Sequence, residues 1–398
     1  MEIFFKSSYL RVLKCFIFTL FIFFLCSLRF DSVLYVSKNV LAFFLSIIIL
    51  GGVDMDLEAR VDELLNGAAK PPQSLGKLEK HLKKVILAWG EIHSEMKPHH
   101  IIFAADNGII EEGVVNYPGE ITYLQAKNMA DGKATISCFC QCNQIPYSVI
   151  DIGINNAQEA GIHHKVAFGT KNFMKEEAMT QEEFDRAWAV GKEVVADLVQ
   201  REGVNIFSFG EMGIGNTTTS SAVLHALTGM PPEFIVGYGA GLSSSEFLKH
   251  KRNIVAKGVE CHKNKMQKVE DILRCVGGFD IVGICSGMLQ CAKLGVPFVI
   301  DGFITAVAYA CAFRIDNTIE KYGIPSHMSK EPGMAYSLLL GNIPADDVIL
   351  HANMALGEGT GAILMVSMLK TMSYTMQNMA RLSDFVLSEP ASSQTAAV

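Results

Sequence analysis

The sequence has no run of basic residues and no excess of positive charge. Its 398 residues include 34 Lys and Arg against 41 Asp and Glu, a formal net charge of −7 at pH 7. Residues 1–54 hold five of the basic and three of the acidic residues, so the other 344 residues carry a net charge of −9. This balance argues against nucleic acid as a partner. A phosphate-bearing ligand would need local backbone N–H groups and one or two cations.

Paired cysteine motifs are also absent. The ten Cys are scattered without a CxxC pair, and the one cluster is Cys138, Cys140 and Cys142. A spacing of two fits neither a zinc site nor a disulfide framework. We therefore expect reduced thiols that are buried as small apolar residues, and a cytoplasmic protein. No His residues pair at ligand spacing, so no metal site is predicted.

Charge is nearly absent from two stretches of the first 54 residues, Cys15–Leu28 and Asn39–Val53. Each has 14–15 residues, fewer than the ~20 that a membrane-spanning helix needs. We interpret residues 1–54 as a hydrophobic leader. Three explanations stay open: a short membrane anchor in which residues 15–53 contact the bilayer, an uncleaved signal, or an over-extended start with translation from Met55.

After Met55, short apolar runs alternate with longer helical stretches such as Glu182–Arg201 and Ser243–Lys265. This alternation predicts an α/β fold with a parallel sheet and helices on both faces. The small, polar tail over residues 385–398 is predicted to be disordered. Five runs are predicted to be strands: "HIIFAAD", "YSVIDIG", "NIFSFGE", "EFIVGYG" and "PFVIDG".

Four of these runs end at or beside an acidic residue: Asp106, Asp151, Glu211 and Asp301. In an open parallel sheet, ligands bind beyond the carboxyl ends of the strands. We therefore expect the four carboxylates to line one edge of the sheet. The alternative is that each one caps the helix that follows it.

The stretch "GEMGIGNTTTSSA" predicts a tight glycine turn that opens a helix. Gly213, Gly215 and Asn216 would form the turn, and its N–H groups at a positive helix end would suit a phosphate. The turn is not a Walker A loop, because no Lys follows it, and Thr218 replaces the last glycine of G-x-G-x-x-G. An ordinary strand-to-helix connection that binds no ligand explains the stretch equally well.

A second glycine-rich stretch, "LGEGTGA", places Glu358 between two glycines. Burial beside apolar residues would raise the pKa of this carboxyl and make it a useful base. It could equally be a Glu that the dipole of the next helix stabilises. The loop "AADNGIIEEGVVNYPGEITYLQ" (residues 104–125) is long and polar, and it carries Tyr117, which could cover an apolar ring.

Taken together, these stretches resemble the nicotinate-nucleotide–dimethylbenzimidazole phosphoribosyltransferase family, which activates the lower base of cobalamin. The resemblance covers about residues 57–380. It implies a doubly wound parallel sheet plus a small helical domain, which we assign to residues 99–384 and 55–98. It also implies a homodimer without metal or cofactor. Seven stretches match in order: 70–79, 103–122, 210–222, 276–283, 297–305, 326–333 and 356–362.

The resemblance implies a reaction between nicotinate mononucleotide and a benzimidazole, giving an α-ribazole phosphate and nicotinate by inverting displacement. Glu358 matches the glutamate that acts as general base in this family, and the resemblance makes Glu211 a second candidate catalytic residue beside the ribose. The turn would bind the 5′-phosphate together with Lys251. The residues that the resemblance assigns to substrate binding are Asn116, Tyr117, Gln125, Gly213, Ile214, Gly215, Asn216, Lys251, Asp301, Leu356 and Gly357.

The sequence departs from the family pattern at Asn107, where His is usual, and at Asn116, where Ser is common. The stretch "GAGLSSS" (residues 239–245) also lacks the acidic pair that is often found there. The first two departures lie on the base-binding side, so they leave the identity of the aromatic base open. Two other functions stay as alternatives: a Rossmann-type oxidoreductase, and a non-catalytic, membrane-anchored nucleotide-binding protein.

Overall fold

The computed structural model describes residues 55–93, 95–239 and 244–385. The chain divides into two compact units, Met1–Glu58 and Ala59–Val398, and only the last four residues of the first are described. The leader and nearly all of the tail lie outside the described residues, so their interpretation stays a prediction. Among the described residues, none of the helices combines the length and the apolar character needed to cross a bilayer.

Six parallel strands form the central sheet, in the order β3-β2-β1-β4-β5-β6. The chain winds from β1 towards one edge and then returns to add β4, β5 and β6 on the other side. The point where the winding reverses therefore lies between β1 and β4, where ligands bind in sheets of this kind. The strands are β1 Pro98–Ala105, β2 Tyr147–Gly153, β3 Ile162–His163, β4 Ile206–Met212, β5 Phe298–Ile300 and β6 Gly323–Pro325.

Thirteen α-helices surround this sheet within the described residues. The two helices predicted over Glu182–Arg201 and Ser243–Lys265 are confirmed as Gln181–Glu202 (α5) and Ser245–His262 (α8). The helices are α1 Met55–Asn66, α2 Lys77–Trp89, α3 Glu120–Ala130, α4 Thr135–Cys142, α5 Gln181–Glu202, α6 Asn216–Thr228, α7 Pro232–Ile235, α8 Ser245–His262, α9 Val269–Val276, α10 Phe279–Lys293, α11 Phe303–Ile315, α12 Gly333–Leu340 and α13 Thr360–Asn378.

Alternate residues of the strands face opposite sides of the sheet, and both sides are covered. Ile101 and Phe103 of β1 belong to one buried apolar cluster, which α5, α6, α8, α10 and α11 complete. Ile102 and Ala104 belong to a second cluster, with residues of α3, α4 and α13. This is the period-two pattern of a strand that is buried on both faces. The prediction of a doubly wound α/β sheet is confirmed.

Four of the five predicted strands are confirmed as β1, β2, β4 and β5. The fifth, "EFIVGYG", is wrong: its start belongs to the short helix α7, and no strand follows in the described part of that stretch. Pro232 at the first helical position has the fixed φ that begins a helix. The strands β3 and β6 were not predicted, because β3 has only two residues and the glycine and proline of β6 leave it a single apolar strand-forming residue.

Two further expectations need correction. The segment Ala104–Gln125 is not one long loop, because α3 begins at Glu120 and places Gln125 on a helix. The cysteine cluster is not buried as a whole. Cys140 lies on the buried face of α4, while Cys138 and Cys142 are exposed. A helical period of 3.6 puts residues two apart on different faces.

Helices α1 and α2 lie in the segment predicted to be a small helical domain, residues 55–98. Helix α2 buries Leu82, Val85 and Ile86, and it ends at Gly90, whose left-handed backbone terminates the helix. His81 contacts the carbonyl oxygen of Asp347 at 2.8 Å, so α2 is tied to the segment before α13. The boundary of this domain stays a prediction.

Candidate active site

A cavity of about 320 Å³ opens at the carboxyl ends of β4 and β5, beside the segment that follows β1. The start of α6, the loop before α12 and the loop before α13 complete its wall. Ten of the residues that the sequence predicted for the site line this cavity: Tyr117, Gln125, Glu211, Gly213, Ile214, Asn216, Asp301, Leu356, Gly357 and Glu358.

The other three predicted site residues do not line the cavity. Gly215 is the N-cap of α6 and has a left-handed backbone, with φ 92°. Asn116 is exposed in the loop before α3. Lys251 is buried on α8, and its Nζ donates to the hydroxyl of Thr217 at 2.9 Å. Because Thr217 does line the cavity, Lys251 lies one side chain behind the wall.

Of the four strand-end acids, two reach the cavity. Glu211 and Asp301 line it. Asp106 accepts from the backbone N–H of Asn155 at 2.8 Å, and Asp151 pairs with Lys165 at 2.9 Å. All four acids lie at the carboxyl edge of the sheet, as expected, but Asp106 and Asp151 bind neighbouring segments and do not line the cavity.

Some backbone N–H groups of the glycine turn after β4 already donate hydrogen bonds within the protein. The N–H of Ile214 donates to the hydroxyl of Thr122 at 3.1 Å, and that of Asn216 donates to the carbonyl oxygen of Gly213 at 3.1 Å. The turn leads directly into α6, whose N-terminus carries a partial positive charge. At this end the cavity is lined by Gly213 and Ile214 of the turn and by Asn216 and Thr217 of the first turn of α6.

Glu358 has an unusual backbone. Its φ is 62°, and Gly357 and Gly359 on either side are also left-handed, with φ of 83° and 91°. This conformation costs a non-glycine residue about 1–2 kcal/mol. No residue other than glycine fits at position 359, because a Cβ there would overlap the ring of His100. Such strain persists only where the surroundings hold it.

Two side chains from neighbouring strands hold the Glu358 backbone. Its N–H donates to Glu211 Oε1 at 3.2 Å, and its carbonyl oxygen accepts from His100 Nε2 at 3.0 Å. Asp301 stabilises the next residues, since it accepts from the N–H groups of Gly359 at 3.2 Å and Ala362 at 2.9 Å. The loop before α13 is therefore fixed by β1, β4 and the end of β5.

The carboxylate of Glu358 is buried, with 5% of the residue exposed. Its Oε1 accepts from Gln125 Nε2 at 2.8 Å, and its Oε2 accepts from the N–H of Ile136, near the start of α4, at 3.3 Å. Burial raises the pKa of Glu358, and these two hydrogen bonds only partly oppose the effect. A carboxylate of this kind at a cavity wall suits proton abstraction.

Glu211 contacts both the loop of Glu358 and the last residue of the glycine turn. The side-chain amide of Asn216 donates to both Glu211 and Asp280, and Asp280 accepts at 3.1 Å. Burial, followed by the charge of Asp280, raises the pKa of Glu211 well above its usual value. Burial also raises the pKa of Asp280, to about 6. Two buried carboxyls thus share one amide donor beneath the cavity.

Sequence reasoning missed His100, Thr217 and Asp280. His100 carried a signal, since a His inside an otherwise apolar strand needs a hydrogen-bond partner. Asp280 lies in a matched stretch, but an acidic residue in the first turn of a helix is common. Among the described residues, no group of three or more His, Cys, Asp or Glu is arranged to hold a metal ion.

The fold and the cavity define an α/β protein whose cavity lies at the carboxyl edge of a parallel sheet, where proteins of this class bind their ligands. A family model described as phosphoribosyltransferase matches residues 50–385. The chain is 40% identical over 330 residues to the nicotinate-nucleotide–dimethylbenzimidazole phosphoribosyltransferase of Clostridium tetani, covering 82% of this chain and 88% of that protein. It is also 40% identical over 308 residues to the protein of that name from Acetivibrio thermocellus, covering 76% and 86%.

A solved structure gives the same result. CobT from Thermus thermophilus superposes with a TM-score of 0.76 at 32% sequence identity, over 82% of this chain and 98% of that one. The chain therefore belongs to the family of nicotinate-nucleotide–dimethylbenzimidazole phosphoribosyltransferases, which are pentosyl-transferring enzymes. The resemblance found in the sequence is confirmed.

Proposed function

We propose that this enzyme transfers the phosphoribosyl group of nicotinate mononucleotide to 5,6-dimethylbenzimidazole or a related base. The products are α-ribazole 5′-phosphate, a building block of cobalamin, and nicotinate. One observation carries the proposal: Glu358 lines the same cavity as Gly213, Ile214 and Asn216 of the glycine turn. On this proposal, a base at Glu358 and a phosphate at the turn would act on one nucleotide in that cavity.

In the proposed reaction, one ring nitrogen of the benzimidazole attacks the ribose C1 carbon from the face opposite nicotinate. The bond from C1 to the nicotinate nitrogen breaks, and its electron pair neutralises the pyridinium. Glu358 accepts the proton from the second benzimidazole nitrogen and later releases it to solvent. The raised pKa of Glu358 supports this role, because a base is most effective when its pKa lies near the working pH.

The charge of the cavity supports a cationic leaving group. Four carboxyl residues line it, Glu211, Asp301, Glu331 and Glu358, and the lining residues described include no Lys or Arg. A nicotinate ring is cationic while it is bonded to ribose, so nearby carboxylates stabilise it before the reaction. We propose that Glu211 has this role beside the ribose, and that it serves as a secondary base.

At the other end of the nucleotide, we propose that the 5′-phosphate binds at the start of α6. The helix N-terminus supplies partial positive charge, and Thr217 supplies a hydroxyl. Lys251, which donates to Thr217, would add an ammonium charge nearby. The base would bind between Tyr117 and Leu356, two half-exposed side chains at the mouth of the cavity. Asn116 remains a predicted contact on this side.

The test supplies the purified chain with nicotinate mononucleotide and a panel of benzimidazoles, purines and phenols, and follows nicotinate release. Proton NMR of the product gives the configuration at C1, which inversion predicts to be α. Absence of release with every base would refute the proposal. A Rossmann-type oxidoreductase and a non-catalytic nucleotide-binding protein gain no support from the family assignment.

We also propose that the protein is a homodimer, that it is located in the cytoplasm, and that its leader is either dispensable or attached to a membrane. Sedimentation velocity of the full chain measures the first. Comparing the full chain with residues 55–398 for activity and for binding to vesicles tests the last. Equal activity together with no vesicle binding by either form would favour a dispensable leader.

A further inference from the structure

We propose that His100 is a positioning residue, which together with Ser208 holds the loop of Glu358 in its active conformation. The inference rests on the proposed role of Glu358 as the base. His100 does not line the cavity, so it would act through Glu358 rather than on a substrate.

The contacts of the His100 ring determine where its proton lies. Nε2 is 3.0 Å from the carbonyl oxygen of Glu358, and Nδ1 is 2.8 Å from the hydroxyl oxygen of Ser208. A carbonyl oxygen can only accept, so Nε2 carries the hydrogen. In the neutral ring, Nδ1 then accepts from the Ser208 hydroxyl. Burial supports the neutral form, because it lowers the pKa of His100 to about 4.

This arrangement is built into the two central strands. His100 on β1 and Ser208 on β4 are direct partners in the parallel register. Both side chains are fully buried, with exposed fractions of 0% and 1%. A Cβ on Gly210, two residues after Ser208, would lie 2.8 Å from His100 Nε2. The ring is therefore enclosed by backbone on the side where it meets the Glu358 loop.

Two hydrogen bonds hold the main chain of Glu358: its N–H donates to Glu211, and its carbonyl oxygen accepts from His100. Loss of His100 would leave the carbonyl without its donor inside the protein, beside a residue that is already left-handed. The loop would relax, and the carboxylate would move away from its position between Gln125 and Ile136. A displacement of about 1 Å in a reacting group can cost about 10²-fold in rate.

The first experiment compares three variants. His100→Leu removes the donor at similar volume, and we expect kcat to fall by about 10- to 100-fold, with the KM for nicotinate mononucleotide unchanged within about threefold. His100→Gln can place an amide N–H near the position of Nε2, and it should restore most of the rate. His99→Leu is the control, because His99 is buried on the same strand but contacts Ser148 instead.

A pH profile separates positioning from a general loss of structure. In His100→Leu, the loosened Glu358 becomes better hydrated, which lowers its pKa. The acidic limb of kcat should therefore shift to lower pH in this variant, and it should return in His100→Gln. Denatured protein reduces the amplitude of the profile without moving its limb.

A double-mutant cycle with Glu358→Gln tests the positioning role of His100 separately from the role of Glu358 as the base. If His100 acts only through Glu358, His100→Leu should cost nothing further in the Glu358→Gln enzyme, and an additive loss would overturn the inference. Full activity of Glu358→Gln alone would refute the proposed base, whatever His100 does.

If His100→Leu does not fold, Ser208→Ala replaces it. This variant removes the hydrogen-bond donor to Nδ1, which leaves the His100 ring less firmly oriented, and kcat should fall by about three- to tenfold with KM preserved. Unchanged kcat in Ser208→Ala and in every folded His100 variant would overturn the inference.

Discussion

The backbone N–H of Glu358 donates a hydrogen bond to Oε1 of Glu211 at 3.2 Å. The side chain of one acidic residue thus holds the main chain of the other. Glu211 also accepts from Asn216 at the start of α6, so it connects the proposed base with the proposed phosphate end of the cavity. Substitutions at Glu211 and Glu358 should therefore differ in effect, because only Glu211 supports both ends.

Replacing Glu358 by Gln should reduce kcat by about 10²-fold or more, as expected for loss of a general base. Nicotinate mononucleotide should still bind, because the amide keeps a similar shape and an acceptor for Gln125 or Ile136. In the wild type, kcat should rise with pH through the raised pKa of Glu358, since only the carboxylate accepts a proton. Steady-state kinetics over pH and calorimetric binding measure both effects. Glu79→Gln is the control, because Glu79 is also buried but pairs with Lys70 away from the cavity.

Binding of nicotinate mononucleotide should release a proton from Glu211. Burial raises the pKa of Glu211, so the free enzyme holds a proton there at a pH where an exposed Glu is ionised. A cationic ring favours the carboxylate and lowers that pKa. Titration calorimetry in two buffers of different ionisation enthalpy measures the release. It should vanish in Glu211→Gln and persist in Glu358→Gln; the reverse pattern would assign the proton to Glu358.

Phosphate recognition should depend on the charge of Lys251. Burial lowers its pKa to about 8, so the ammonium form prevails below that value and is lost above it. The KM for nicotinate mononucleotide should rise as the pH increases above about 8. Lys251→Gln should raise this KM by about tenfold or more at about pH 7, with little effect on nicotinate riboside, which has no phosphate. Lys249→Gln, an exposed neighbour on α8, should leave KM unchanged.

Gly359→Ala should reduce both stability and activity. Gly359 and Gly229 both have left-handed backbones, so the backbone strain alone costs Ala about 1–2 kcal/mol at either position. A Cβ at Gly229 meets nothing within 4 Å, whereas one at Gly359 overlaps the His100 ring. Chemical denaturation should therefore show a larger loss of unfolding free energy for Gly359→Ala than for Gly229→Ala. Only Gly359→Ala should also lower kcat; equal effects of the two would argue against tight packing around His100.

Much of the fold could be predicted because its signals are local. The apolar runs of β1, β2, β4 and β5 and the periodic helices between them show a parallel sheet covered on both faces. Strand β3 has only two residues, and β6 has the sequence Gly-Ile-Pro, so neither carries such a run. At the site, Glu211 stands out because it follows an apolar run and Gly210, and Glu358 stands out because it lies between two glycines. His100 signals only that a buried ring needs a hydrogen-bond partner, and the sequence does not identify that partner because Glu358 lies 258 positions away.

By itself the sequence determined the class of fold, the glycine turn, the candidate base and the family. These follow from hydrophobic period, from backbone freedom at glycine, and from motifs in a fixed order. Only the tertiary structure decided that two of the four strand-end acids face the cavity, that Lys251 lies behind Thr217, and that His100 holds Glu358. Burial and hydrogen bonding between distant segments depend on how strands and helices pack in space, and hydrophobic period reports which face of an element is buried but not what it meets there.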